Sequence, residues 1–181
     1  MSLHASERPA VILTVGHSNR TLEELLALLE AHEVAHVVDI RTIPRSRHNP
    51  QFDREQLARD LSRAGIGYTH VPALGGLRRA RADSPNGGRH NASFRGFADQ
   101  MLTPEFETGL AELAKLAAAR RTAVMCAEAV PWRCHRSLVA DALTVRGVHV
   151  EHILSRTRAQ PHELTAFAVV QGTRVSYPPP P

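Results

Sequence analysis

Apolar positions along the chain follow two periods that take turns. Val11–Val15 is an apolar run closed by Gly16, the pattern of a strand buried on both faces. Thr21-Leu-Glu-Glu24 then reads as a capping box, and Leu22, Leu25, Leu26 and Leu29 recur at helical spacing. Val34–Ile40 is a second strand, with Asp39 near its end and Arg41 just past it. Asp53 and Gln56 predict the cap of a helix that runs to about Ala64, where Gly65 stops it. Gly67–Val71 is a third strand. Thr103, Pro104 and the acids Glu105 and Glu107 open a helix that continues to about Arg120. Thr122–Cys126 follows as a fourth strand, a helix spans Cys134 to Arg146, and Val148–Ile153 is a fifth strand. Repeated strand–helix–strand order demands right-handed crossovers. The expected fold is therefore α/β, a single three-layer domain over residues 9–171 with a mostly parallel sheet of about five strands flanked by helices. Residues 1–8 and 173–181 are expected to be flexible tails, the second because Tyr177 is followed only by four prolines. Pro72–Ala92, with two Gly-Gly pairs and four arginines, reads as a loop too long for an ordinary connection.

Composition narrows the class. A chain of 181 residues, 43% hydrophobic and 22% charged, can bury a core of its own, which excludes a disordered chain, a collagen-like chain and a disulfide scaffold. No apolar run reaches the roughly 18–20 residues of a membrane span, and Met1–Arg8 lacks the apolar stretch of an export signal. With only two cysteines, free thiols in a reducing compartment are expected, and hence a cytoplasmic protein with no membrane partner. The net charge of +4 invites a nucleic-acid partner. Lys115 is the only lysine among 22 basic residues, however, and the 4% aromatic content argues against a base-stacking platform.

Ligands of open parallel sheets bind beyond the carboxyl ends of the strands. The pattern sets Gly16, His17 and Ser18 there after the first strand, Asp39 and Arg41 at the second, and Cys126 and Glu128 at the fourth, with Cys134, His135 and Arg136 at the next helix start. Familiar sites are missing: one glycine instead of three at Gly16, no phosphate-loop lysine, no Gly-x-Ser-x-Gly, no His-Glu-x-x-His. Trp132 stands where a phosphatase or rhodanese loop would carry its arginine, six residues after Cys126.

The remaining stretch, Cys126-Ala-Glu128 followed by Cys134-His135-Arg136, resembles the domain-of-unknown-function 488 family, in which Cys-x-Glu precedes Cys-His-Arg. Thr14-Val-Gly-His-Ser18, Val38-Asp-Ile-Arg41 with Pro44 and Arg45, and Pro161-His-Glu-Leu-Thr165 agree, so the resemblance runs over about residues 11 to 170. It implies a bacterial-type soluble α/β protein with a shared polar site, and it implies no reaction or substrate.

From the residues themselves, Glu128 with Asp39 or His17 suits general acid/base work. Arg41 and Arg136, with Gly16, Ser18 and His135, suit an anionic ligand, helped by free N–H groups if the helix starts uncapped at Cys134; Ser137 is the competing cap. Cys134 beside His135 and Arg136 has the setting of a nucleophile, or of a small buried core residue on the face shared with Leu138 and Ala142. Asp39 paired with Arg41 or Arg136, and Glu128 capping a helix, are the structural alternatives. Cys126, Cys134, His135 and His17 lack the spacing of a zinc site, and neither metal nor cofactor is predicted. His162 reads as the cap of a short helix, and the arginine loop beside Phe94 and Phe97 as solvated. The expectation is a hydrolase or group transferase acting on an anionic, nucleotide-like or nucleic-acid-derived substrate. A non-catalytic nucleic-acid-binding module and a thiol redox protein using Cys126 and Cys134 are the alternatives, and no oligomeric state follows.

Overall fold

A computed structural model describes residues 10–181; the predicted tail over 1–8 lies outside the described residues. The strands are β1 (Val11–Gly16), β2 (His36–Asp39), β3 (Gly67–His70), β4 (Thr122–Cys126), β5 (His149–Ser155) and β6 (Arg158–Pro161), and they form one sheet in the order β3-β2-β4-β1-β5-β6. The first five are parallel, and β6 returns antiparallel on β5. The helices are α1 (Leu22–Ala31), α2 (Arg54–Arg63), α3 (Ala92–Gln100), α4 (Pro104–Ala119) and α5 (Arg136–Thr144).

Each central strand supplies two cores by alternation. Leu13 and Val15 of β1, Val37 of β2 and Ala123 and Met125 of β4 pack with α1 and α2. Ile12, Val38, Val124 and Cys126 face the other way, against α3, α4 and α5. The result is helix, sheet, helix, as a parallel sheet requires. From β1 the chain leaves by α1 toward β2, and from β4 it leaves by α5 toward β5. Neighbouring strands β1 and β4 thus send their connections in opposite directions, which opens a crevice at their carboxyl ends.

Thr21 caps α1 in the expected box: its hydroxyl accepts from the Glu24 N–H, and the Glu24 carboxylate accepts from the Thr21 N–H. Asp53 stands at the start of α2, but its carboxylate accepts from the Ser46 N–H instead of capping the helix.

Three parts of the chain depart from the pattern reading. Helix α3 follows directly on the arginine loop and is capped by Asn91, whose side chain accepts from the N–H groups of Ser93 and Phe94. Helix α5 begins at Arg136, without a side-chain cap, while the Ser137 hydroxyl donates back to the Cys134 carbonyl. The end of the chain is no loose tail. Strands β7 (Val169–Gln171) and β8 (Arg174–Ser176) form a hairpin, and Tyr177 is fully buried. The Tyr177 N–H donates to the Asn86 side chain, and its carbonyl accepts from Gly88. An aromatic ring and a row of backbone donors outweigh the stiffness of the prolines that follow. Among the described residues, no helix is long and apolar enough to cross a membrane.

Candidate functional site

The crevice is a cavity of about 540 Å³, walled by the loops after β1, β2 and β4. Beyond Gly16 the strand pairing continues, with the His17 N–H donating to the Cys126 carbonyl and the Ser18 N–H to that of Ala127. Gly16 itself cannot carry a side chain, because a Cβ there would overlap the Glu128 carbonyl and crowd the Arg136 guanidinium.

His17, Ser18, Arg41, Cys126, Glu128, Cys134 and His135 all line this cavity. Gly16, Asp39 and Arg136 lie behind the wall. Asp39 is fully buried, and its carboxylate accepts from the Arg41 backbone N–H, from the Arg41 Nε and NH2, and from the Tyr68 hydroxyl at 2.6 Å. It serves as the anchor of Arg41 rather than as a free acid or base, which is the structural alternative to the predicted pairing with Glu128. Arg41 donates further to the Phe52 carbonyl and, through NH1, to His17 Nε2 at 3.3 Å.

The proton on His17 is assigned by its partners. Nδ1 faces the Ser18 carbonyl at 2.7 Å and must donate, so Nε2 is the acceptor turned to Arg41. Burial, reinforced by the Arg41 charge, lowers the imidazole to about 4. His17 is thus neutral, with its acceptor nitrogen engaged. Glu128 is exposed at the rim, where one carboxylate oxygen accepts from the Val130 N–H. Asp39 and Glu128 therefore do not form a matched acid and base across the site.

Arg136, expected to meet a ligand, is 0% exposed. It donates to the Cys126 sulfur at 2.8 Å, to the Ala129 carbonyl at 2.8 Å and to the Glu128 carbonyl, while its Nε has no partner. No carboxylate reaches it among the described residues. Buried charges are ordinarily paired. The group able to neutralise Arg136 is the Cys126 thiol, in its ionised form. Burial alone raises that thiol, but a hydrogen bond from Cys134 and the adjoining guanidinium outweigh it and bring it down to about 7. Cys134 is shifted the opposite way, held above the ordinary thiol range by its hydrogen bond to Cys126 and by burial. The His135 Nδ1 lies 3.5 Å from the Cys134 sulfur, and its Nε2 donates to the Ile40 carbonyl. Burial lowers His135 to about 4, so this ring too is neutral. Spacing left Cys134 open between a nucleophile and a buried core residue; the structure places it in the core, while the pleat of β4 turns Cys126 toward Arg136. Among the described residues, no three His, Cys, Asp or Glu side chains gather as a metal ion needs.

Behind the site runs a polar chain that the sequence reading missed. Thr14 Oγ1 is 2.6 Å from His152 Nδ1, His152 Nε2 is 2.9 Å from His162 Nδ1, and His162 Nε2 is 2.7 Å from Asp141. With Asp141 accepting, every proton has one place: His162 donates to Asp141, His152 to His162, and Thr14 to His152. Burial, reinforced by the nearby Arg136 charge, lowers His152 to about 3.

An acid sensitivity follows. Unfolded, His17 and His152 take up protons below about 6.5; folded, they stay neutral to about 4 and about 3. Their contribution is complete above 6.5, and stability should decline as pH falls from 6.5 toward 4. Denaturant titrations at successive pH values check this, and a profile flat across that window would contradict neutral burial of the two rings.

No curated protein and no solved structure matches the chain. The pattern of one family does match, over residues 21–143, which is more than half of the chain and takes in Arg41, Cys126, Glu128, Cys134 and Arg136 but not Gly16, His17 or the Pro161–Thr165 stretch. The chain belongs to the family described as Domain of unknown function DUF488.

Proposed function

We propose that the protein is an enzyme, a hydrolase or group transferase, that works on an anionic small molecule through the thiolate of Cys126. The observation that carries this reading is the buried guanidinium of Arg136, which has a cysteine sulfur and backbone carbonyls around it and no carboxylate. A thiolate, unlike a thiol, is a competent nucleophile. Arg41, Arg45 and Arg133 line the same cavity, against Glu128 as the carboxylate among its walls, so the opening favours a phosphate- or carboxylate-bearing ligand. In the reaction, the Cys126 sulfur forms a bond to the electrophilic centre while the leaving group departs with its bonding pair and takes a proton from solvent. Water or an acceptor molecule then displaces the sulfur and returns the thiolate to Arg136.

The test is the ultraviolet absorbance of the thiolate followed against pH. A step with its midpoint at about 7 is expected, where an ordinary thiol ionises near 8.5. Cys126→Ser should abolish that step. A midpoint in the ordinary range would end the proposal. A thermal-shift panel of phosphate, mononucleotides and short oligonucleotides then identifies the ligand class, since a ligand at about a hundred times its Kd adds roughly 2.7 kcal/mol. Response to oligonucleotides alone would favour a nucleic-acid-binding module instead.

A further inference from the structure

Cys126 closes β4 and Cys134 precedes α5, and Arg136 touches both sulfurs. Its side chain donates to Cys126 at 2.8 Å, and its backbone N–H faces Cys134 at 3.5 Å. Both cysteines belong to the same buried cluster, with Leu138 and Val139 of the helix that follows. Both are free thiols, both line the cavity, and Cys134 is the more exposed, 6% against 1%.

We infer that Cys126 and Cys134 form a reversible disulfide that Arg136 disfavours, so that the oxidised protein passes its disulfide to substrate dithiols. The inference rests on the reading of Cys126 as a thiolate. Oxidation consumes that anion and leaves Arg136 buried among neutral carbonyls, with its Nε already unpartnered. A cross-link ordinarily stabilises a fold by restricting the unfolded chain. Here it also strands a charge, and breaking a buried ion pair costs more than a loop of this length returns.

The exchange balances without a further group. An incoming thiolate attacks the Cys134 sulfur, the Cys126–Cys134 bond breaks, and its electron pair leaves on Cys126 beside Arg136. The second thiol of the substrate, giving up its proton, attacks its own sulfur in the mixed disulfide. The bond to Cys134 breaks, and Cys134 takes the proton. The substrate dithiol is oxidised to a disulfide, and the protein disulfide is reduced by the same two electrons. Glutathione disulfide serves as the reoxidant. A low-pKa leaving thiol speeds the first step.

The full-length protein is oxidised with glutathione disulfide, the cross-link is confirmed by peptide mass, and the melting temperatures of the two redox forms are compared. The expected result is a Cys126–Cys134 bond and an oxidised form that melts lower than the reduced one. Equilibration in glutathione buffers should show Arg136→Met shifted at least tenfold toward the disulfide. If that variant does not fold, the wild-type melting comparison decides. No intramolecular bond, or an oxidised form that melts higher, overturns the inference while a thiolate step at about 7 leaves the proposed enzyme standing. An ordinary thiol midpoint removes both.

Discussion

Asp141→Ala is expected to destabilise the protein by about 4 kcal/mol. Asp141 is fully buried, and its two oxygens accept from the His162 ring, the Thr165 N–H, the Thr165 hydroxyl and the Tyr177 hydroxyl. Removing it strands four donors at once, and each unsatisfied buried polar group costs about 1–3 kcal/mol before relaxation. The effect spreads along the chain of rings, because His162 loses the acceptor that sets its tautomer and can no longer accept from His152 in a defined way. Tyr177→Phe, which deletes one of the four donors and leaves the carboxylate, should cost about 2 kcal/mol. Burial raises the Asp141 carboxyl, but His162, Tyr177 and Thr165 outweigh that and hold it below its ordinary value. Its contribution is therefore present above about 3.8 and is lost as pH falls further. Denaturant midpoints of the two variants measure both costs; a loss under about 1 kcal/mol for Asp141→Ala would show that the network adds nothing to the packing around it.

The second large effect is at the wall of the cavity. Asp39→Asn should cost about 3–5 kcal/mol, the usual penalty for leaving one member of a buried ion pair behind. Arg41 is 6% exposed and would keep neutral acceptors, the Phe52 carbonyl, His17 Nε2 and the new amide oxygen, but no anion, while the Tyr68 hydroxyl would lose its carboxylate. The pairing is separable from its packing by a double-mutant cycle. If the loss comes from a stranded charge, Arg41→Met in the Asp39→Asn background should recover part of it, and the two changes together should cost less than their sum. Strict additivity would mean that the two residues do not act as a pair. Because Arg41 also lines the cavity with Arg45 and Arg133, the proposed anion site predicts a smaller thermal response to phosphate in the doubly substituted protein than in the wild type.

The layers and the crevice were legible because the central strands are buried on both faces. Val11–Gly16 and Thr122–Cys126 are short apolar runs between helical repeats, and their order sets the crossovers. Helix α3 escaped because it begins inside an arginine- and glycine-rich stretch, although Phe94, Phe97, Ala98 and Met101 carry helical spacing. The conversion of Arg136 from ligand-holding cation to buried partner of Cys126 could not be read from spacing, since it depends on how closely the loop after β4 passes Gly16. Nor does anything local link Asp141 with His162, which are joined only when β6 and the chain after it return beside α5. Tyr177 was hidden by its neighbours: four prolines follow it, a stretch with no packing pattern of its own, although the fold buries the ring completely.

That ring bears on the order in which the chain can mature during synthesis. Domains form from the amino terminus onward as the ribosome releases them. The five parallel strands of this protein are complete by Ser155, yet the carboxylate of Asp141 still lacks all four of its donors, which arrive with His162, Thr165 and Tyr177. A nascent chain stalled between these points would hold an assembled sheet around an unsatisfied charge. The last strand of the hairpin and the tyrosine after it thus complete the shell around Asp141, so the order of synthesis leaves the satisfaction of that carboxylate until after the sheet it stands behind.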